Sequence, residues 1–158
     1  MHTSTPTPQR VSIEPPLSPV EVAFIASFHR GERADVRRMW PAQPSARSPW
    51  SPSPDGSELV LDEHPDAEEA ITTAGWLRFL AHEFLAPRTE SALARALPYG
   101  LDGGHRLTGR VLLDGAREIT VSNNRVNERV RLQRHELQGH DADVFELDDR
   151  RRAHNTDR

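Results

Sequence analysis

The run from His105 to Leu132 constrains the fold more than any other part of the sequence. Three segments with apolar residues at alternating positions are separated by two tight-turn signals, Asp114–Gly115 and Asn123–Asn124. Asp-Gly is a favoured hairpin turn, and asparagine tolerates the left-handed backbone that a two-residue hairpin requires. The run therefore predicts an antiparallel meander of three strands, with one apolar face that another element must cover.

An amphipathic helix over Asp66–Ala86 is the predicted cover for this sheet. Its apolar residues, including Ile71, recur at the i, i+3 and i+4 spacing for about five turns. A second helix is predicted over Pro19–His29, with an apolar stripe that includes Val20. A short third helix is predicted over Thr89–Leu97.

The start of the second helix carries a specific signal. Ser18 and Glu21 have the spacing of an N-terminal capping box, and Pro19 suits the first helical position. In such a box each side chain accepts a hydrogen bond from the backbone N–H of the other residue. The helix is therefore predicted to begin at Pro19.

Two further elements complete the predicted fold. Arg10–Glu14 alternates as a short strand, and residues 50–61 have the pattern of a hairpin whose turn is Pro54–Gly56. The predicted fold class is α+β, with a small antiparallel sheet packed against two amphipathic helices. The pattern predicts three parts of the chain: a disordered tail over 1–10, a single α+β domain over 11–132 and a charged, disordered tail over 133–158.

Composition excludes several kinds of chemistry. The chain has no cysteine, which excludes disulfides and cysteine-bound zinc. All 20 basic residues are arginine, which excludes Schiff-base catalysis and a P-loop lysine. The formal net charge of −4 gives no overall attraction to nucleic acid. No apolar run approaches the roughly 20 residues of a membrane helix, and the N-terminus has no secretory pattern. A cytoplasmic protein without a membrane partner is therefore expected.

The stretch RHELQGH, Arg134–His140, resembles the HExxH helix motif of zinc hydrolases. In that motif the two histidines are four residues apart and lie on one side of a helix. His135 and His140 are five residues apart, which separates them by about 140° around a helix. No metal or other cofactor is therefore expected. A metal-dependent hydrolase that uses His135, Glu136 and His140 remains the first alternative function.

Two other histidines carry weaker signals. His82 and Glu83 are neighbours on the long helix, but the position four residues after His82 is Ala86. A surface pair beside the core stripe is therefore expected. His105 follows two glycines and is expected to lie in a loop.

The segment between the second helix and the hairpin is the part of the sequence best suited to a partner. It is rich in arginine, has no apolar period, and leads into a loop bracketed by two tryptophans. We expect the tryptophans to pin the ends of this loop to the core. The predicted partner surface consists of Arg30, Arg33, Arg37, Arg38, Trp40 and Trp50.

The leading prediction of function is a non-catalytic binding or regulatory protein whose partner is another protein. An accessory factor of a mobile element is one such role. The second alternative is a nucleic-acid modulator that acts through the arginine-rich residues 30–38 and binds less tightly as the salt concentration rises.

The order of several segments resembles a group of small proteins of actinobacteria and their phages for which no activity is known. The segments are IEPPLSPVEVAFI, WSPSPDGSELVLDE, WLRFLAHEFLAP, GHRLTGRVLLDG and ITVSNNRV. They span about residues 11–128 of this chain. The resemblance implies the same succession of strand, helix, tryptophan-containing segment, amphipathic helix and closing strands. It implies no catalytic residues, because the shared motifs consist of packing and turn residues.

The C-terminal segment provides a first test. Its sizeable apolar residues are Leu137, Val144, Phe145 and Leu147, and full burial would contribute about 1.5–3 kcal/mol each. Ordering the backbone of the segment costs about 1–2 kcal/mol per residue. We therefore expect a chain that ends at Leu132 to melt within a few degrees of the full chain in a thermal scan. A drop of more than about 8 °C would contradict a disordered tail.

Overall fold

A computed structural model of the chain describes residues 7–30, 40–63, 65, 67–113 and 116–130, with the backbone alone at positions 67 and 68. The predicted tail at 133–158 and the predicted turn at Asp114–Gly115 lie outside the described residues. The fold is α+β: six antiparallel strands form one sheet, and the helices pack against one of its faces. This confirms the predicted α+β class, with three helices among the described residues where two were predicted to pack against the sheet.

The sheet joins the predicted hairpin to the predicted meander. Its strands are β1 (Arg10–Glu14), β2 (Trp50–Pro52), β3 (Glu58–Leu61), β4 (Arg106–Leu113), β5 (Arg117–Ser122) and β6 (Arg125–Val130). Their order is β2–β3–β1–β4–β5–β6, with every neighbouring pair antiparallel. The first strand of the sequence is thus central, with Val11 opposite Leu59 on one side and Gly109 on the other.

The structure moves the boundary of the predicted N-terminal tail, 1–10. Arg10 already belongs to β1. The carbonyl oxygen of Gln9 accepts a hydrogen bond from the backbone N–H of Leu61 at 2.9 Å. Its side-chain oxygen accepts another from Leu112 at 3.1 Å. Gln9 therefore extends the contacts of β1 with both neighbouring strands.

All three predicted helices are present. They are α1 (Pro19–Arg30), α2 (Ala67–Leu80), which continues as a π-helix (Ala81–Leu85), and α3 (Glu90–Ala96), which continues as a 3-10 helix (Leu97–Tyr99). The capping box of α1 is confirmed. The Ser18 N–H donates to the Glu21 carboxylate at 2.7 Å, and the Glu21 N–H donates to Ser18 Oγ at 3.3 Å.

One layer of apolar side chains lies between the helices and the sheet. Its centre is an aromatic cluster with ring centroids 5.0 to 5.8 Å apart, mostly edge to face. The cluster consists of Phe24, Phe28, Trp76, Phe79 and Phe84. Buried aliphatic residues of the central strands, including Val11, Ile13 and Val111, lie beneath it. The long predicted helix therefore covers the sheet as expected.

Two apolar residues of the predicted helical stripes are exposed instead of buried. Ile71 is 72% exposed, because it lies about 120° around the helix axis from the buried Leu77. Val20 is 58% exposed. Val20 lies in the first turn of α1 beside Gly100, and this glycine has no side chain that could cover it.

The packing around α2 predicts a stabilising substitution. Gly75 lies inside this helix, and a Cβ atom there would be 3.8 Å from Pro44, an ordinary van der Waals contact. We expect Gly75→Ala to raise the free energy of unfolding by about 0.5–1 kcal/mol, because alanine favours the helix and restricts the unfolded chain. Urea unfolding measures the change, and a loss of stability would contradict the open space beside the helix.

Gly56→Ala is the contrasting control. Gly56 has a φ of +74°, and its Cβ would be 2.4 Å from the carbonyl oxygen of Leu17. We expect this variant to lose about 1–3 kcal/mol, because both the backbone conformation and the contact exclude a side chain.

Candidate functional site

The structure describes three residues of the predicted partner surface. Arg33, Arg37 and Arg38 lie outside the described residues, between the exposed end of α1 at Arg30 and the partly buried Trp40. The His135, Glu136 and His140 cluster of the metal-hydrolase alternative also lies outside them.

Trp50 does not belong to a surface. It is fully buried, and its indole N–H donates to the carbonyl oxygen of Thr73 in α2 at 3.0 Å. It lies on β2 opposite Leu61, on the face of the sheet that the helices cover. Its inclusion in the predicted partner surface was therefore wrong, whereas its predicted role in pinning the loop to the core is confirmed.

Trp40 packs at the border between the core and the surface. Its ring centroid is 5.0 Å from that of Phe84, 5.5 Å from that of Tyr99 and 6.0 Å from that of Phe24. Its indole N–H donates to the Glu83 carboxylate at 3.4 Å. The ring is thus held on several sides while part of it remains accessible.

Two exposed residues extend this apolar area outward. Tyr99 is 46% exposed and stacks on Phe24, with ring centroids 5.2 Å apart. Val20 lies one turn before Phe24 on α1 and borders Gly100, the residue after Tyr99. We refer to Val20, Trp40 and Tyr99 as the Trp40 surface. The sequence had indicated only Trp40, because the other two come from separate elements.

A salt bridge forms the polar border of the Trp40 surface. Arg95 of α3 donates to the Glu83 carboxylate at 2.9 Å, the same group that accepts the Trp40 indole N–H. Glu83 and its neighbour His82 were expected to be a surface pair, but both are partly buried in the π-helix. The π-helix connects the Trp40 surface to the end of α2.

The environment of His82 disfavours its charged form. Burial is the main cause of its lowered pKa, and the positive charges of Arg88 and Arg78 add to it. Its Nε2 atom is buried, with no hydrogen-bond partner in the part of the chain that the structure describes. His82 is therefore a packed, neutral side chain at neutral pH.

A second group of polar side chains lies where α1 ends. His29 Nε2 is 2.8 Å from Asp62 Oδ1, and Arg47 lies within 3.9 Å of Asp62 and 3.8 Å of Glu69. The Arg47 guanidinium also donates to the carbonyl oxygen of His29 at 2.9 Å. These contacts hold the loop before β2 against the helix ends. Among the described residues, no three His, Asp or Glu side chains are placed to hold a metal ion.

His105 lies in the loop immediately before β4, as expected, and its side chain is buried there. Its Nδ1–H donates to the carbonyl oxygen of Pro15 at 2.7 Å, and its Nε2 lies 2.9 Å from the Glu21 carboxylate. The side chains of His105 and Glu21 are each 5% exposed. No local pattern reveals this pair, because the two residues are 84 positions apart.

The pKa of Glu21 reflects two opposing effects. Burial alone would raise it, but the hydrogen bonds with His105 and Ser18 and the charge of His105 together hold it below its ordinary value of 4.5. The ionised carboxylate is thus the form that the folded chain favours. This group supports the start of α1.

The outer face of the sheet, which no described helix covers, is polar. A depression of about 520 Å³ opens on it. It is lined by Ser12, Glu14, Arg106, Thr108, Ser122 and Asn123. Arg106 and Glu14 form a salt bridge of 3.3 Å there, and both side chains are largely exposed. The depression therefore offers hydroxyl, amide and paired charged groups, but no buried charge that would select a particular ligand.

Comparisons with known proteins identify no family for this chain. The chain matches no known family model, and no curated protein or solved structure is detectably similar to it. The resemblance to actinobacterial and phage proteins therefore stays a prediction. Each helix within the described ranges is too short or too polar to span a bilayer.

The Glu21–His105 pair predicts how stability depends on pH. We expect Glu21→Gln to lower the free energy of unfolding at pH 7 by about 1–3 kcal/mol, the usual contribution of a buried hydrogen bond to a charged group. Because the folded-state pKa of Glu21 is lowered, its contribution is present above pH 4.5 and is lost as the pH falls through the folded-state pKa. The stability difference between the two chains should therefore narrow in acid.

Glu90→Gln is the matched control, because Glu90 is an exposed carboxylate in the first turn of α3. Its effect on stability should stay within about 0.5 kcal/mol. Denaturant unfolding from neutral pH down to about pH 2, well below the ordinary pKa of a glutamate, measures both variants. Stability curves that run parallel for the natural chain and Glu21→Gln would show that the buried pair does not stabilise the fold through the ionised carboxylate.

Proposed function

We propose that this chain is a non-catalytic binding or regulatory protein, and that its partner is another protein that contacts the Trp40 surface. The observation that carries the proposal is the exposure of Val20 and Tyr99 beside a tryptophan that the core holds in place. Isolated exposed apolar residues are common on proteins, whereas adjoining ones from three parts of a chain are a typical feature of binding sites.

The aromatic side chains beneath the Trp40 surface hold it in one conformation, which favours binding of a partner. Tyr99 rests on Phe24 and Trp40, and Trp40 rests on Phe84. Aromatic side chains held in one position lose little conformational entropy when a partner binds, and tryptophan and tyrosine contribute most often to binding energy at protein interfaces. The Trp40 surface therefore offers preorganised apolar contacts.

The border of the surface is polar, as at known protein interfaces. The Arg95–Glu83 salt bridge lies directly beside the Trp40 indole N–H. Interfaces commonly combine an apolar centre with a charged or hydrogen-bonding rim that excludes water and sets orientation. Arg30, Arg33, Arg37 and Arg38 belong with Trp40 to the partner surface predicted from the sequence.

A pair of charge substitutions tests the proposal. Val20→Glu places a carboxylate on the Trp40 surface but leaves the fold intact, because Val20 is exposed and an acid favours the first turn of a helix. Ile71→Glu is the matched control, since it changes an even more exposed apolar residue on a different helix.

The measurement is quantitative capture of proteins from the native host with the full chain as bait. We expect one partner to be recovered with the natural chain and with Ile71→Glu, and to be depleted about tenfold or more with Val20→Glu, the effect of removing one good apolar contact. Equal recovery with both variants would exclude the Trp40 surface as the binding site. Recovery of no specific partner would contradict the proposed function.

A further inference from the structure

The two edges of the sheet differ in their ability to accept another strand. β2 has three residues, includes Pro52, and is bordered by Pro49 and Pro54. Proline lacks the backbone N–H that strand pairing needs, so this edge is blocked. β6 has six residues and no proline, and no strand within the described ranges pairs with its outer side.

The hairpin between β5 and β6 determines which backbone groups point outward. Asn123 and Asn124 both have positive φ, and Ser122 lies opposite Arg125. In such a two-residue hairpin the residues flanking the turn exchange hydrogen bonds, and the bonded pairs then alternate along the strands. The backbone groups that point away from β5 therefore belong to Val126, Glu128 and Val130.

One of the backbone groups of β6 that point away from β5 already has a hydrogen-bond partner. The Arg78 guanidinium of α2 donates to the carbonyl oxygen of Val126 at 3.4 Å. In the part of the chain that the structure describes, the outward N–H and C=O groups of Glu128 and Val130 have no hydrogen-bond partner. The open portion of the edge is therefore its C-terminal half, where the Val130 side chain is 65% exposed.

Charges beside this edge are unbalanced. On the outer face of the sheet Glu58, Glu14 and Glu118 each pair with an arginine of a neighbouring strand. Arg125 and Arg129 lie on the same face of β6, and neither forms a salt bridge within the described residues. An additional strand would thus meet Arg125, Asn127 and Arg129 on one face. On the other face it would meet Val126, Val130 and, between them, Glu128, whose carboxylate lies 3.5 Å from Arg117.

We propose that the edge of β6 binds an extended segment of a partner protein in which acidic residues alternate with apolar ones. The segment would pair antiparallel or parallel with β6 through the backbone of Glu128 and Val130. Its acidic side chains would lie beside Arg125 and Arg129, because side chains of paired strands share the same two faces. This edge is a different surface from the Trp40 surface.

A second copy of the chain fits this edge less well. In a twofold antiparallel pairing centred on Asn127, Arg125 of each copy would lie opposite Arg129 of the other. A pairing centred on Glu128 would place the two Glu128 carboxylates opposite each other. Like charges directly opposite one another destabilise paired strands, whereas an acidic segment would relieve the charge on both arginines.

The test uses the full chain and a short synthetic peptide that alternates glutamate with valine. Glu128→Pro removes the outward N–H of β6 and leaves the hydrogen bonds to β5, because the Glu128 N–H is not part of that ladder. Glu128→Ala is the matched control, since it removes the same carboxylate and keeps the N–H.

We expect saturable peptide binding by the natural chain and by Glu128→Ala, and binding weakened about tenfold or more by Glu128→Pro. A peptide that alternates lysine with valine should bind at least about tenfold more weakly than the acidic one. Amide hydrogen exchange gives the second readout, because the N–H groups of Glu128 and Val130 should exchange rapidly in the free chain and become protected when the peptide binds.

Three results would overturn the proposal. One is the absence of saturable binding at about millimolar peptide. Another is equal binding by Glu128→Pro and Glu128→Ala. The third is strong protection of the Glu128 and Val130 amides in the free chain, which would show that the edge is already paired with the chain's own residues or with a second copy. Dilution would then distinguish these two occupants, because only pairing with a second copy depends on concentration.

Discussion

The buried contact between Glu21 and His105 connects the two halves of the chain. Glu21 caps the first helix through Ser18 and also meets His105, whose other ring nitrogen donates to the carbonyl oxygen of Pro15. The side chain of Asn124 then bridges the His105 carbonyl oxygen and the Leu107 N–H. Buried polar groups are costly unless each has a partner. This network therefore favours one arrangement of α1 over β1 and β4.

The same arrangement determines which surfaces remain open. All described helices pack on one face of the sheet, so the other face retains paired charges and hydroxyl groups toward solvent. On the helical side, Trp50 and Trp76 anchor the loop before β2 through hydrogen bonds to Thr73 and Ser45. Trp40, at the start of that loop, is left at the border of the core. The Trp40 surface and the β6 edge are thus consequences of a fold in which all described helices pack on one face of the sheet.

Local signals predicted the elements well, for identifiable physical reasons. Asn123–Asn124 allows the left-handed backbone of a tight hairpin, and both residues have positive φ. Ser18 and Glu21 have the spacing of a capping box, and both of its hydrogen bonds form. Alternation in Arg10–Glu14 matches a strand whose Val11 and Ile13 are buried. Each of these outcomes depends on residues within a few positions of one another.

Candidate site residues were harder to predict. A tryptophan next to an irregular loop can lie in the core or on a surface, and the sequence did not distinguish Trp50 from Trp40. Trp50 is buried because β2 pairs with β3 and α2 lies over that pair. Val20 and Tyr99 join Trp40 from different elements, 20 and 59 positions away from Trp40 in the chain. The spacing of apolar residues within one helix does not predict which residues of other elements will lie beside it.

The sequence by itself determined the kinds of elements, most of their boundaries, the turns at Pro54–Gly56 and Asn123–Asn124, and the absence of cysteine and lysine chemistry. These properties follow from backbone preferences, side-chain periodicity and composition, which act over short distances. Only the tertiary structure decided that β1 lies between the hairpin and the meander, that His105 meets Glu21, and that β6 is an edge strand of the sheet within the described residues. Those outcomes depend on contacts between distant residues, because strand order and burial are selected by the packing of the whole core.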